Sequence, residues 1–190
     1  GKYISIEEKA SYKEKIDKIK EKFNSDELSH WLNLNTYVKK EEFTQIKKVA
    51  EEIKNKCDVF IVIGIGGSYM GSKAVIEALS PTYNRSKPEI IFLGKNINPN
   101  EYVEVLDYIK DKEIAVNVIS KSGTTLEPSI AFDLVLDLMK KKYDDETLKK
   151  RLIITTDAET GTLRKMANEN GYQSFIVPTI VGGRYSVFTP

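Results

Sequence analysis

The stretch Ile61-Val62-Ile63-Gly64-Ile65-Gly66-Gly67-Ser68-Tyr69-Met70-Gly71-Ser72 constrains the fold most. An apolar, β-branched run stops abruptly at glycines and a serine, and a helical pattern follows. Such a stretch folds as a parallel strand feeding a glycine turn that opens a helix. The turn exposes backbone N–H groups where the helix dipole is positive, which suits anions and phosphate above all. A second stretch repeats the logic: Val116-Asn117-Val118-Ile119 leads into Ser120-Lys121-Ser122-Gly123-Thr124-Thr125, again before a helix. Two such loops after two parallel strands are expected to lie close together at the carboxyl edge of one sheet.

Around these loops the pattern from residue 58 alternates strand and helix. Strands are expected at 58–64, 89–93, 114–119, 151–156 and 174–177, and helices at 69–80, 99–110, 126–142 and 160–169. Alternation of this kind makes a parallel sheet with helices on both faces, and the apolar strands fit a sheet covered on both sides. Asn98-Pro99 reads as an N-cap followed by proline at the first helical position. Asn170-Gly171 reads as a helix end with a left-handed glycine, and Thr124-Thr125-Leu126-Glu127 as a capping box. Residues 1–56 are helical and lysine-rich, with Tyr12, Ile16, Ile19 and Phe23, and then Phe43, Ile46, Val49 and Ile53, at helical spacing. Lys13, Glu14, Asp17 and Lys18 read as a solvated helix face. His30 beside Trp31 reads as a packing or capping residue, because no carboxylate stands out as its partner.

The 190 residues suffice for one domain with a sizeable core. Lys and Arg number 29 against 28 Asp and Glu, so no global field points to nucleic acid or an anionic membrane. The single Cys57 leaves no internal disulfide or cysteine metal site and fits a reducing, cytoplasmic setting. No apolar run approaches membrane-spanning length, and the N-terminus is too charged for a signal peptide.

The glycine loop meets neither common nucleotide fingerprint. For G-x-G-x-x-G from Gly64, the third glycine should be residue 69, which is Tyr69, and the second strand ends in Leu93-Gly94-Lys95 without the acidic ribose ligand. For the P-loop, Gly66 to Gly71 has the spacing, but Ser72-Lys73 follows, with the lysine displaced by one. A serine-bearing turn for a small phosphate group remains. Ser120, Ser122, Thr124 and Thr125 add four hydroxyls beside Gly123 and Lys121; hydroxyls and N–H groups together can satisfy phosphate oxygens without a metal. The competing possibility is that these hydroxyls only cap a helix and close a turn.

Three stretches resemble the glucose-6-phosphate isomerase family: Gly64 to Ser68, Ser120 to Glu127, and Val181-Gly182-Gly183-Arg184-Tyr185-Ser186. They stand in the family's order, and the third is the discriminating one. The resemblance implies a sugar-isomerase (SIS-type) α/β domain over residues 57–190, with a five-stranded parallel sheet in flavodoxin-like order, preceded by the helical segment 1–56. It implies that Ser68, Ser120, Ser122 and Thr125 hold a sugar phosphate with backbone N–H groups of Lys121, Gly123, Thr124 and their neighbours. Gly67 would lie against the sugar, Arg184 would stabilise an enediolate, and Glu127 would be structural. The implied reaction interconverts glucose 6-phosphate and fructose 6-phosphate by acid–base chemistry, with neither a nicotinamide nor a metal cofactor. The family's proton-transfer glutamate, ring-opening histidine and late lysine lie beyond the Arg184 segment. The chain is therefore expected to be the N-terminal domain of a longer, homodimeric enzyme and inactive alone. A non-catalytic sugar-phosphate sensor of the same fold is the alternative.

Overall fold

The structure is a computed structural model describing residues 3–25, 39–81, 83, 87–179, 181 and 183–188; the side chains of Ser25, Arg184 and Phe188 fall outside the description. Five parallel strands form its centre: β1 (Val59–Ile63), β2 (Glu89–Leu93), β3 (Ile114–Ile119), β4 (Leu152–Thr156) and β5 (Gln173–Ile176), in the order β2-β1-β3-β4-β5. That is the expected flavodoxin-like order. The register sets Ile63 of β1 beside Leu93 of β2 and Val118 of β3. These three strands therefore end at nearly one level.

Helices cover both faces, as expected for strands this apolar. On one face α5 (Pro99–Ile109), α6 (Leu126–Lys142), α7 (Asp145–Lys149) and α8 (Thr162–Asn170) enclose the main core, built on Ile61, Ile63, Val116, Val118, Leu152 and Ile154. On the other lie α3 (Lys40–Lys54), whose Ile53 packs with Ala115 and Ile153, and α4 (Gly67–Leu79), whose Tyr69 meets Phe92. The handedness of parallel crossovers requires the split. The chain steps to one side from β1 to β2 and back past β1 to reach β3, so α4 and α5 take opposite faces. The crevice at such a reversal is where open α/β sheets hold ligands.

Most expected boundaries hold within two residues. Asn98 caps α5 by accepting from the Asn100 N–H at 3.1 Å, with Pro99 at the first position. Gly171 ends α8 at φ 68°. The capping box at α6 is corrected. The N-cap is Thr125, not Thr124, and it makes no side-chain cap bond. A Thr125 cap would draw on the second or third helical N–H, and the third position is Pro128, which has none. The Thr124 hydroxyl donates instead to Ser122 Oγ at 3.1 Å. The short α7 is absent from the expectations. Its signal is Asp144, which accepts from Thr147 N–H at 2.7 Å ahead of two acidic residues.

The N-terminal segment is helical where described: α1 (Ile6–Ser11), α2 (Lys13–Ser25) and α3. Lys13, Glu14, Asp17 and Lys18 are solvated, as expected. Tyr12, Ile16, Ile19 and Phe23 are exposed too, so the periodicity identifies an apolar stripe that stands apart from both core clusters. His30 and Trp31 lie outside the described residues.

Candidate functional site

Two turns leave neighbouring strands at the same edge of the sheet. The first, after β1, passes through Gly66 at φ 58°, ψ −125°, a conformation open to glycine and costly for residues with a Cβ. Helix α4 begins at Gly67, whose N–H has no intrahelical partner. At Gly64 an added Cβ would stand 3.0 Å from Ser68 Cβ and 3.3 Å from the carbonyl oxygen of Ile119. The first turn therefore rests against the start of the second. Among the described residues the Ser68 hydroxyl makes no hydrogen bond; its N–H donates to Ile65 O at 3.2 Å.

The second turn, Ser120 to Thr125, is held from beneath by the segment joining β4 to α8. Thr156 Oγ1 donates to Ser120 O at 2.7 Å, Asp157 N–H to Lys121 O at 3.4 Å, and Thr162 Oγ1 to Gly123 O at 2.8 Å. Three carbonyls of the turn thus point toward β4–α8. In a planar trans peptide the following N–H points the opposite way. The amides of Lys121 and Ser122 consequently face away from the support. Successive backbone N–H groups left open at a turn are one means by which proteins bind anions.

The hydroxyls divide into two groups. Ser120 is buried, and its Oγ accepts from Gly123 N–H at 3.1 Å. Ser122 Oγ accepts from Thr124 N–H at 3.2 Å. Both oxygens close the turn while keeping their own proton to donate. Thr125, like Ser68, is uncommitted among the described residues. The Lys121 ammonium donates to Thr179 O at 2.7 Å, so its side chain ties the turn to the segment after β5. That segment ends in a 3-10 helix, Gly183–Phe188, which packs along α4 and carries position 184; the Arg184 side chain lies outside the described residues. Glu127 sits in the first turn of α6.

Two cavities flank the turns on opposite faces of the sheet. One, about 490 Å³ and largely apolar, is bounded by Gly67, Ser68, Ser186, Ile119 and α3. The other, about 230 Å³, is lined by Ser120, Gly123, Ser129 and Thr162. The side chains of Ser68 and Ser120 thus line different cavities; the structure brings together their turns. Among the described residues no group of three or more His, Cys, Asp or Glu is placed to hold a metal, and no helix is long and apolar enough to cross a membrane.

The supports go beyond what the sequence pattern indicates. Thr156, Asp157, Gly161 and Thr162 touch the second turn from a strand end far along the chain. The available signal is polar Thr-Thr-Asp closing an apolar strand. Asp157 accepts from the N–H groups of Glu159 and Thr160 at 2.9 and 3.0 Å. The bond from Glu159 and then that from Thr160 hold its carboxyl below the usual carboxylate range. A depressed carboxylate stabilises fully above its unfolded value, ~3.9, and loses that contribution as pH falls through the lower folded value. Asp157→Asn is expected to be less stable than the parent at neutral pH. The gap should close in strong acid, below the folded value. Urea midpoints across the acid range check this; a gap independent of pH would refute it.

A family model for phosphoglucose isomerase matches residues 35–190. The chain belongs to the phosphoglucose isomerase family. Glucose-6-phosphate isomerase of Shouchella clausii is 49% identical over 166 residues, covering 84% of this chain and 37% of that protein. The Fusobacterium nucleatum protein of the same name is 44% identical, covering 98% of this chain and 44% of its own length. Among solved structures, a hypothetical protein from Thermus thermophilus superposes with a TM-score of 0.79 at 25% identity, covering 95% of this chain and 43% of that one. The chain spans less than half the length of these phosphoglucose isomerase relatives. Its first two helices lie outside the stretch the family model matches.

Proposed function

We propose that this chain supplies the phosphate grip, and one active-site cation, of an enzyme that interconverts glucose 6-phosphate and fructose 6-phosphate. The observation carrying this reading is the orientation of the second turn, with its carbonyls held by Thr156, Asp157 and Thr162. The amides of Lys121 and Ser122, the Ser68 and Thr125 hydroxyls and the protons of Ser120 and Ser122 would satisfy the phosphate oxygens. The free N–H of Gly67 would face the sugar. Gly123 and Thr124 shape the turn.

In the reaction a carboxylate removes the proton at C2 of the open-chain aldose, and electrons pass to the carbonyl oxygen to give an enediolate. A proton passes from the C2 hydroxyl to the C1 oxygen, the carboxylate returns its proton at C1, and the ketose forms, with no net change in atoms or redox state. Arg184 would lie where the negative charge develops. The base and ring-opening groups would come from outside residues 57–190, the unit we assign to sugar-phosphate binding. The chain alone would therefore bind and not turn over. The whole enzyme would be a cytoplasmic homodimer.

Calorimetric titration of the purified chain with 6-phosphogluconate, beside a coupled isomerase assay, tests the proposal. Saturable binding without turnover is expected. No binding at millimolar ligand would overturn the phosphate assignment, and substantial turnover would overturn the placement of the base. A sugar-phosphate sensor shares the grip but has no use for Arg184. Equal affinity of Arg184→Ala for 6-phosphogluconate would favour it.

A further inference from the structure

Gly71 stands inside α4, where glycine is about 1 kcal/mol worse than alanine, and its φ is not positive. Its backbone therefore does not demand glycine. Its surroundings do: an added Cβ would lie 2.1 Å from Val187 Cγ2, 2.5 Å from Val187 Cβ and 3.0 Å from Val187 Cγ1. No rotamer of Val187 relieves a clash with its own Cβ, and a β-branched side chain has little freedom in any case. Any larger residue at 71 must push the backbone of the 3-10 helix away from α4.

Periodicity links this contact to the site. Gly71 lies three and four residues from Ser68 and Gly67, on the same side of α4. In a 3-10 helix positions i and i+3 eclipse, so position 184 shares the side of its helix with Val187. Upstream, the Lys121 ammonium on Thr179 O anchors the same segment to the second turn. We propose that Gly71 and Val187 are positioning residues, a knob and a notch that seat the 3-10 helix so that position 184 serves the sugar bound at the two turns. This rests on the function proposed above.

Gly71→Ala is expected to weaken 6-phosphogluconate binding about tenfold, the worth of one charge-assisted contact, and to match Arg184→Ala. Combining the two should cost no more than either. Inorganic phosphate, which needs only the turns, should bind Gly71→Ala within about twofold of the parent. Val187→Gly in the Gly71→Ala background removes the clashing atoms and should restore most of the affinity. Wild-type affinity in Gly71→Ala, or additive losses with Arg184→Ala, would overturn the proposal. Hydrogen exchange over residues 183–188 reports the seat without ligand. It should accelerate in Gly71→Ala and slow again in the double variant. Unchanged exchange would overturn the seat even if the phosphate assignment stood. If the parent chain bound no 6-phosphogluconate, the functional reading would fall, and this exchange pattern would still sustain the seat.

Discussion

Gly123→Ala is expected to cost roughly 2–5 kcal/mol, the sum of a left-handed backbone for a residue with a Cβ and an overpacked contact. Gly123 has φ 71°, and an added Cβ would lie 2.5 Å from Thr162 Oγ1 and 2.9 Å from the backbone nitrogen of Leu163. Neither neighbour can yield cheaply. Thr162 Oγ1 is bound to the Gly123 carbonyl itself, and the Leu163 nitrogen belongs to the first turn of α8. The turn must therefore lift off its support, and its open amides lose their orientation. A thermal midpoint lower by about 10 °C follows for a domain of this size, with 6-phosphogluconate binding lost as well. A midpoint within about 1 °C of the parent would show that the support does not hold the turn.

The opposite signature is expected of Ser68→Ala with Thr125→Ala. Both hydroxyls are uncommitted among the described residues, so removing them should leave the midpoint within about 1 °C. If each donates to phosphate, each loss is worth ~1.5–3 kcal/mol, and the pair weakens binding by about a hundredfold or more. Ser120→Ala should differ from both, losing affinity and stability together, because its oxygen also closes the turn onto Gly123 N–H. Affinities by calorimetry beside melting curves distinguish the three. A double variant with unchanged affinity would remove Ser68 and Thr125 from the phosphate site.

Local chemistry makes much of this legible in the sequence. A β-branched run ending in glycines can hardly be anything but a buried strand and its turn, so the sheet and both loops are readable. What escapes depends on partners remote in the chain. Gly71 matches P-loop spacing by coincidence; its reason is Val187, which no local pattern ties to it. The destination of the Lys121 ammonium is undecidable from spacing, since Thr179 reaches it only through the β4–β5 crossover. The stripe of Tyr12, Ile16, Ile19 and Phe23 shows the limit of periodicity. A repeat of 3.6 says which side of a helix is apolar, not what, if anything, lies against it. The Thr124 box fails because the helix starts one residue later than the motif places it: Thr125 is the N-cap, and three residues on from it stands Pro128, which has no N–H to offer.

The carbonyl-down setting of the second turn bears on how a dianion would be greeted. Peptide dipoles fixed by the fold carry no net charge and attract no cloud of counterions that must be displaced. A grip of that kind should hold its affinity as ionic strength rises, where a cluster of lysines would lose it. It also leaves the chain near neutrality, with 29 cationic against 28 anionic side chains.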